Sequence, residues 1–330
     1  MEDKVLLLSE QDIASLLTPA DIITTVEEVF RVCDTDAIVT GENGRIEIDS
    51  DGANYYMTLP AAIKPLGVAG AKWFCGYTKP KPGYPYSHGN LMILASTETG
   101  SPLAIMGAGT ITPMRTAGGH CAVAAKYLAR KDSETLTIIG AGVQARAALR
   151  SFLYLFPDLK HVNIYSMPKS GAEEMRSAFE NRVEISVFDT AEAAVAGADI
   201  LLLATTSNNI LVDASWIQPG MTAMSIRAFR DLDPRLAETA DKWVIGTIQE
   251  DFKQILTSPL WRQNYPLTKE MIYANLGEIV RGEKAGRETN REITVYSHMG
   301  MGALDVACAY TVYKRALEKG IGTYFTVNCF

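Results

Sequence analysis

Short apolar runs alternate with longer amphipathic segments through the middle of the chain, from about residue 132 onward. The apolar runs predict strands over residues 136–139, 161–165, 183–188, 200–204, 221–226 and 243–245. The segments between them predict helices from residue 142 to about 155, over 170–181 and over 190–196. Apolar strands separated by helices are typical of a parallel sheet covered on both faces. The pattern therefore predicts an α/β fold with a doubly wound parallel sheet.

The first 130 residues have a different rhythm. Residues 1–34 are predicted to be helical, with Ser9 and Thr18 as alternative caps and Pro19 in a first turn. Shorter extended runs predict an antiparallel-looking set of strands over residues 44–58, 68–74, 91–95 and 103–106, followed by one alanine-rich helix over 116–130. This region is therefore expected to be an α+β domain.

Two further segments complete the predicted domain organisation. Residues 78–89 contain three prolines and two glycines, which predict a loop that is either a lid or a plain connection. A last helix is predicted from residue 302 to about residue 318, before Gly320. We assign that helix to the first domain, so the predicted domains are residues 1–130 with 303–330, and residues 131–302.

Composition narrows the classes of function. The 330 residues are 47% hydrophobic and carry a formal net charge of −7, which argues against nucleic acid as a partner because phosphate binding needs a cationic face. No stretch approaches the ~18 apolar residues of a membrane span, and the first residues lack a secretory signal pattern. A cytoplasmic protein with no membrane partner is therefore expected.

The cysteines and histidines show no spacing that predicts a metal site. Five cysteines and four histidines are scattered along the chain without Cys-x-x-Cys or His-Glu-x-x-His. Reduced thiols and no bound metal are therefore expected.

A glycine-rich turn opens the second domain. Gly140, Gly142 and Ala145 form a G-x-G-x-x-A pattern between a predicted strand and a predicted helix. The first glycine permits the tight turn, and the second lets the backbone approach a pyrophosphate. The helix start then offers free N–H groups and a partial positive charge to the phosphates. The turn predicts a Rossmann dinucleotide-binding domain; the alternative is a purely structural turn.

The end of the next predicted strand bears on the choice of dinucleotide. An NAD site usually has an Asp or Glu there, about 20 residues beyond the glycines. This chain has Ser166, Lys169 and Ser170 and no carboxylate in that stretch. Hydroxyl and ammonium groups favour a 2′-phosphate, so NADP(H) is expected slightly ahead of NAD(H). The alternative is that Ser166 binds the ribose of NAD(H) while Lys169 is merely solvated.

Three cations of the first domain lie among apolar or small residues: Arg45, Lys72 and Arg115. A cation in such surroundings usually meets an anion, because an isolated buried charge is very costly. The anion is either a substrate or the partner in a structural ion pair.

Further motifs recur in a fixed order and resemble a known family. They are Leu59-Pro60-Ala61, Gly70-Ala71-Lys72, His88-Gly89-Asn90-Leu91, Thr112-x-x-Arg115-Thr116-Ala117, Gly140-Ala141-Gly142-Val143-Gln144-Ala145-Arg146, Leu276-Gly277-Glu278, Glu292-Ile293-Thr294-Val295 and Gly302-x-x-x-Asp305. In this order and spacing, nearly the whole chain resembles the ornithine cyclodeaminase/mu-crystallin family.

The resemblance implies a homodimer with a Rossmann domain beside a substrate/dimerisation domain. It also implies NAD(P)-linked hydride chemistry at the α-carbon of an amino acid or its imine. Arg45, Lys72 and Arg115 would bind the carboxylate of a small-molecule amino or imino acid, and Lys72 would also act as the catalytic acid or base. The candidate cofactor-binding residues are Arg115, Thr116, Gly140, Gly142, Val143, Gln144, Ser166, Lys169, Thr205, Ser225 and Gly300.

One segment departs from the family pattern. Phe229 takes the position of an Asp that is catalytic in the cyclodeaminases, and Asp231 matches a later acid that is normally structural. Gly107 also stands where the family often has Asp. These changes weaken a cyclodeaminase interpretation, because that reaction needs a carboxylate to manage the substrate ammonium.

Two arginines add positive charge to the same segment. Arg227 and Arg230 are expected near the nicotinamide, and Arg227 is a candidate substrate-binding residue. The alternative is that both arginines pair with Asp231 and Asp233 at the surface.

The combined expectation is a reductase of α-imino acids, including oxo acids with an amine and cyclic ketimines, that also catalyses the reverse amino-acid dehydrogenation. A cyclodeaminase-type lyase that keeps its NAD+ and releases ammonia is the first alternative. A non-enzymatic protein that only binds the nucleotide, in the manner of a crystallin, is the second.

Overall fold

The structure is a computed structural model that describes residues 3–50, 54–77, 90–252, 255 and 267–327. The predicted loop over residues 78–89, including His88, and Cys329 lie outside these residues. The chain divides into two compact units, one of Met1–Arg115 with Met301–Phe330 and one of Thr116–Gly300. The domain limits expected from the sequence stay a prediction.

The first unit is built on a mainly antiparallel sheet. Its strands are β1 (Asp3–Leu8), β2 (Ile38–Thr40), β3 (Gly44–Glu47), β4 (Asn54–Ile63), β5 (Val68–Tyr77), β6 (Leu91–Ser96), β7 (Pro102–Gly107) and β16 (Thr323–Val327). They lie in the order β16-β1-β7-β6-β5-β4-β2, with β3 also on β4. The pair β1 and β7 is parallel, and the other described pairs are antiparallel.

Helices cover one face of this sheet. They are α1 (Glu10–Leu16), α2 (Pro19–Val32), α3 (Ile111–Pro113) and α10 (Gly302–Lys319), with a 3-10 turn at Lys64–Leu66. Helix α10 packs on α2, β4 and β5. Its bounds confirm the predicted last helix, and Gly320 ends it with a φ of 63°.

The start of the chain corrects one prediction and resolves another. Residues 3–8 form β1 and not a helix, because they pair with β16 and with β7, contacts that a local pattern does not reveal. Ser9 and Thr18 are both caps, of α1 and α2 respectively, and each forms a capping box with an aspartate three residues later.

The second unit contains a parallel sheet. Its strands are β8 (Thr135–Ile139), β9 (His161–Tyr165), β10 (Glu184–Val187), β11 (Ile200–Leu203), β12 (Thr222–Ser225), β13 (Lys242–Ile245), β14 (Ala274–Asn275) and β15 (Thr294–Ser297). They lie in the order β10-β9-β8-β11-β12-β15-β13-β14, and the described pairs are parallel. The predicted doubly wound sheet is confirmed. The strand order reverses direction between β8 and β11, which is where such sheets bind ligands, beyond the carboxyl ends of the strands.

The helices of this unit are α4 (Cys121–Leu128), α5 (Val143–Leu155), α6 (Lys169–Phe179), α7 (Ala191–Val195), α8 (Leu236–Thr239) and α9 (Leu276–Val280). Short 3-10 turns lie at Ala214–Trp216 and Lys269–Met271, and π-helical turns at Met114–His120 and Ile248–Phe252. The single helix predicted over residues 116–130 is instead the first π-helical turn followed by α4, which ends at Leu128.

In the ranges that the structure describes, no helix is long and apolar enough to cross a membrane. Among the same residues, no group of three or more His, Cys, Asp or Glu side chains is arranged to hold a metal ion.

Candidate functional site

Lys72, Arg115 and Asp305 form a buried charged cluster in the first unit. Lys72 lies on β5, Arg115 follows α3, and Asp305 lies in the first turn of α10. Lys72 Nζ lies 3.1 Å from Asp305 Oδ1, and Arg115 donates from Nε at 2.9 Å and from Nη2 at 2.8 Å to the same carboxylate. The three side chains are at most 5% exposed.

Charge is not balanced within this cluster, because two cations face one carboxylate. Arg115 Nη1 is buried and has no hydrogen-bond partner in the described part of the chain. Burial, opposed in part by Asp305, lowers the pKa of Lys72 to about 8. Burial alone would raise the pKa of Asp305, but Arg115 and Lys72 hold it below its ordinary value. The cluster therefore keeps one surplus positive charge and one unused guanidinium donor.

Arg45 lies on the same face of the sheet as Lys72. The strand register places Arg45 opposite Met57 and Met57 opposite Phe74, two residues beyond Lys72 on β5. The Arg45 guanidinium stacks 3.8 Å above the ring of Tyr55, and its Nε lies 3.1 Å from Glu47 Oε1. Lys72 and Arg115 are thus joined through Asp305, whereas Arg45 forms its ion pair with a neighbour on its own strand.

The glycine-rich turn of the second unit forms a cradle at the end of β8. Gly140 has a φ of +108°, and a Cβ there would lie 2.4 Å from the carbonyl oxygen of Ala204. Gly142 is the N-cap of α5 without a side-chain cap, and a Cβ there would meet nothing within 4 Å. Backbone strain and the contact with Ala204 thus require glycine at position 140. At position 142 the protein itself does not require glycine, which would be needed only if a ligand occupies the open space.

A cavity of about 380 Å³ opens beside this turn, lined by residues 139–142, 165–167, 204–207 and Leu211. Its size is in the range of nucleotide and cofactor sites. The open space at Gly142 and the uncapped start of α5 leave backbone N–H groups for a diphosphate. The cradle residues therefore fit a dinucleotide. Val143 is exposed in that first turn, whereas the Gln144 side-chain oxygen accepts from the Ala117 N–H at 3.2 Å.

Three polar residues, Ser166, Lys169 and Asp189, follow the carboxyl ends of β9 and β10, where the ribose of a dinucleotide is expected. Ser166 lines the cavity, and Lys169 is the first residue of α6. Lys169 Nζ lies 2.6 Å from Asp189 Oδ1, with both side chains exposed. Asp189 was not predicted from the sequence, because a carboxylate was expected only after the second strand.

Two further candidate cofactor residues are tied to a buried carboxyl group. Thr205 Oγ1 donates to Asp231 Oδ2 at 2.6 Å, and Ser225 Oγ donates to Oδ1 at 2.8 Å. Asp231 is fully buried, and burial raises its pKa despite these hydrogen bonds. Thr205 also lines the cavity, whereas Ser225 is completely buried. Asp231 thus connects the ends of β11 and β12.

The segment after β12 turns its aromatic residue inward. Ala228 and Phe229 have φ values of 50° and 63°, a conformation that costs free energy in residues other than glycine. Phe229 is fully buried and packs on Trp243 with ring centroids 5.2 Å apart. That packing offsets the backbone strain, and it removes Phe229 from any surface that a ligand can reach.

Arg227 forms hydrogen bonds with the loop that follows β11. It donates to the carbonyl oxygen of Ser207 and, at 3.0 Å, to Asn208 Oδ1. The alternative in which Arg227 and Arg230 pair with Asp231 and Asp233 at the surface is wrong in one respect, since both aspartates are buried. A substrate contact by Arg227 stays a prediction.

Thr116 and Gly300 lie at the two ends of the second unit. Thr116 is buried in the π-helical turn Met114–His120, and Gly300 follows β15 with a φ of 86°. Their contacts with a cofactor stay a prediction.

Gly107, at the end of β7, stands beside a carboxylate from another element. A Cβ at Gly107 would lie 2.3 Å from Glu10 Oε1, so Glu10 fills the space that a side chain would need there. Glu10 accepts from the N–H groups of Gly109 and Thr110 at 2.6 and 2.9 Å. An acidic group is thus present at this position, supplied by the start of α1.

Asp305 belongs to a motif of the sequence, but no role was predicted for it. A signal was available, because it is one acidic residue in the otherwise small and apolar stretch 302–309. A carboxylate in such surroundings needs cations beside it.

Known proteins resemble this chain along its whole length. The profile of the ornithine cyclodeaminase/mu-crystallin family matches residues 3–320. An alanine dehydrogenase of Archaeoglobus fulgidus is 32% identical over 331 residues, covering 97% of this chain and 98% of that protein.

Two solved structures are similar in both fold and sequence. An archaeal alanine dehydrogenase dimer with bound NAD has a TM-score of 0.87 at 30% identity, and the match covers 99% of this chain and 100% of that one. The Δ1-pyrroline-2-carboxylate reductase of Thermococcus litoralis, in complex with NADH and L-proline, has a TM-score of 0.85 at 31% identity, with coverages of 97% and 99%. The match of the profile and the end-to-end similarity confirm the resemblance: the chain belongs to the ornithine cyclodeaminase/mu-crystallin family.

Proposed function

We propose that the protein is an NAD(P)H-dependent oxidoreductase that reduces an α-imino acid to an L-amino acid and catalyses the reverse dehydrogenation. The imine is supplied as such, as a cyclic ketimine, or as an oxo acid with an amine. Two relatives that match end to end are a dehydrogenase and a reductase of this chemical class. The chain's own residues supply the more specific argument.

The surplus charge of the Lys72–Arg115–Asp305 cluster carries the proposal. A buried net positive charge with an unused Arg115 Nη1 donor is unfavourable until an anion arrives. The carboxylate of an amino or imino acid has the charge and the acceptor oxygens to complete it. Arg115 thus binds the carboxylate, and Arg45, on the same sheet face, provides a further cation for it.

Lys72 is proposed as the proton donor and acceptor. Reduction of an imine needs one proton at nitrogen, and the reverse reaction needs a base for the same proton. A lysine whose pKa is about 8 is populated in both protonation states near neutral pH. Burial sets this value, while Asp305 keeps the ammonium form from being lost entirely.

The second unit is proposed to hold the nicotinamide dinucleotide, which supplies or accepts the hydride when bound. Gly140, Gly142 and the start of α5 bind the diphosphate through backbone N–H groups. Contacts from Arg115, Thr116, Val143, Gln144, Thr205, Ser225 and Gly300 belong to the same proposal. We favour NADP(H) over NAD(H), because Ser166 and Lys169 follow β9 and no acid lies between residues 166 and 170. Asp189, which pairs with Lys169, opposes this preference.

A homodimer is part of the proposal, formed through the first unit. The sheet face opposite Lys72 exposes apolar side chains that the strand register places together: Val39, Ile46, Trp73, Leu91 and Ile93. Exposed apolar side chains grouped on one face mark an interaction surface. A second copy is the expected partner, which a solution mass of twice 36.0 kDa tests.

A cytoplasmic location remains the proposal. Cys33, Cys75, Cys121 and Cys308 are buried and form no disulfide among the described residues. A reducing compartment favours this arrangement.

The lyase alternative finds no support in the segment after β12. Phe229 is buried, and both oxygens of Asp231 are occupied by hydroxyl groups. Neither residue offers a carboxylate to a substrate ammonium. The reductase interpretation needs only the hydride and one proton donor, so it agrees better with this arrangement.

A substrate screen tests the proposal. Purified protein receives NADPH or NADH with 2-oxo acids plus ammonia or methylamine, and separately with cyclic imines such as pyrroline-2-carboxylate, while the absorbance of the reduced nicotinamide is followed. Net oxidation that depends on the imine supports it. Ammonia release from ornithine without net cofactor turnover would establish the lyase instead. Nucleotide binding without either reaction would establish a simple binding protein.

A further inference from the structure

Asp189 is an acidic residue at the corner of the second unit where a dinucleotide's ribose is expected. The Phe188 N–H donates to the carbonyl oxygen of Ile164 at 2.9 Å, which places Asp189 beside the end of β9. Ser166 directly follows β9. A carboxylate therefore stands at this corner, supplied by the end of β10.

Lys169 is the cation paired with that carboxylate. Its Nζ lies 2.6 Å from Asp189 Oδ1. The first turn of α6, which Lys169 begins, lies close to the cradle: a Cβ at Gly171 would be 3.5 Å from the Ala141 Cβ and 3.8 Å from Ser166 Oγ. Lys169 and Asp189 thus lie near Ser166 as a neutral pair.

Neutrality of this pair has a direct consequence for cofactor choice. A 2′-phosphate is a dianion near neutral pH and needs surplus positive charge beside it, whereas a ribose 2′-hydroxyl does not. Both side chains are largely exposed, so the ion pair itself is weak and its partners can separate. The 2′-phosphate must therefore compete with Asp189 for the Lys169 ammonium and also bears repulsion from the carboxylate.

We propose that Asp189 is a cofactor-specificity residue, which weakens binding of a dinucleotide with a 2′-phosphate by holding Lys169. The proposal rests on the proposed function only in requiring a dinucleotide in the cradle of the second unit. Asp189 limits the preference for NADP(H) that Ser166 and Lys169 create, and leaves NAD(H) binding unaffected.

Calorimetric titration with NAD+ and NADP+ tests this without any turnover. We expect Asp189→Asn to tighten NADP+ binding by roughly fivefold to tenfold, the effect of removing one charge several ångströms from a dianion in a high dielectric. NAD+ binding should stay within about twofold. The double variant Asp189→Asn/Lys169→Met should lose the gain.

A matched control removes a carboxylate charge at the amino ends of the parallel strands, away from the cradle at their carboxyl ends. Glu134, just before β8, forms an exposed ion pair with Lys160 at 2.5 Å, and Glu134→Gln should leave the ratio of the two dissociation constants unchanged. The assignment of Asp189 is overturned by an unchanged ratio in Asp189→Asn, by a gain that survives loss of Lys169, or by an equal shift in the control. Failure of the unaltered protein to bind either dinucleotide overturns the proposed function as well.

Discussion

Lys72 Nζ lies 3.1 Å from Asp305 Oδ1, although the two residues are 233 positions apart in the chain. This contact joins a central strand of the first sheet to the helix that completes the unit. It also sets the chemistry, because the carboxylate raises a lysine pKa that burial alone would lower further. The same bond would therefore contribute both to stability and to the proposed proton transfer.

The pH dependence of the reaction should follow Lys72. Its pKa is about 8, so it is a proton donor below that pH and a base above it. We expect kcat/KM for imine reduction to be level below pH 8 and to fall about tenfold per pH unit above it, while the reverse oxidation rises and then levels. Initial rates over pH 6–10 measure both limbs. Lys72→Arg should abolish the limb near pH 8, since arginine stays protonated.

Replacing Lys72 by methionine should remove turnover while sparing the cofactor. Methionine keeps much of the stem's volume, a charge-assisted hydrogen bond is worth roughly 1.5–3 kcal/mol, and acid catalysis contributes about 10²–10⁴-fold. Together these predict a fall in kcat/KM of three orders of magnitude or more, with an unchanged dissociation constant for the dinucleotide.

The matched variant is Arg115→Met, which should mainly raise KM because this arginine is assigned to binding. If Arg115→Met destroys kcat and Lys72→Met only raises KM, the two roles are exchanged. If neither variant affects the kinetics, the cluster is not the substrate site.

Asp305→Asn should destabilise the first unit and shift the pH profile. Breaking a buried ion pair by removing one partner costs about 3–5 kcal/mol, so thermal and denaturant unfolding should show a large loss. The pKa of Lys72 should fall below 8, because the main contribution that raises it is gone. The alkaline limb of the reductive reaction then begins at lower pH.

Asp305 also has its own pH signature. Its pKa in the folded protein is below the ordinary value of 3.8, so its contribution to stability is present above that pH and is lost as the pH falls through the folded value. Asp21→Asn is the matched control, since Asp21 also forms an ion pair with an arginine of the first unit, Arg315. If both variants displaced the pH profile of imine reduction equally, the role of Asp305 in setting the pKa of Lys72 would be contradicted.

Gly142→Val should abolish dinucleotide binding and leave the fold intact. The backbone at Gly142 is extended, and a Cβ meets nothing within 4 Å, so neither strain nor a clash is introduced. The added methyl groups enter the space assigned to the diphosphate. Titration with NAD+ and NADP+ should show at least about a hundredfold weaker binding, with an unchanged circular dichroism spectrum. Normal binding would place the phosphate cradle elsewhere.

Ser166→Asp should shift the preference from NADPH toward NADH. The new carboxylate repels a 2′-phosphate and accepts a hydrogen bond from a free 2′-hydroxyl. The ratio of kcat/KM values for the two cofactors should change at least about tenfold. Ser177→Asp, in the last turn of α6, adds the same charge away from the cradle and should leave the ratio unchanged. An unaltered ratio in Ser166→Asp would mean that this side chain does not face the ribose.

Features that depend on local pattern were predictable from the sequence. One short stretch contains the apolar run of β8, the glycine turn and the start of α5. The apolar pattern and the glycine spacing therefore identified all three together. The last helix was equally clear, because its apolar face and Gly320 are both local signals.

Features that depend on contacts between distant parts of the sequence could not be predicted. β15 was not predicted because Thr294 and Ser297 read as polar, yet both are buried with their hydroxyls in hydrogen bonds, to the Leu128 carbonyl and from Trp243 Nε1. The contacts of Asp231 with Thr205 and of Lys169 with Asp189 were hidden for the same reason: each partner follows a neighbouring strand, 26 and 20 residues away along the chain.

Because β1 pairs with β16 and Lys72 pairs with Asp305, the first unit cannot be completed until the second unit has been synthesised. Domains usually fold from the N-terminus as the chain emerges. Here the continuous unit Thr116–Gly300 needs no residue beyond Gly300, whereas the unit that contains β1 must wait for α10 and β16. Until then its sheet shows apolar residues on both faces. A message truncated after residue 300 would therefore release a chain with a complete cradle and an exposed sheet, a substrate for chaperones and proteases and not for hydride transfer.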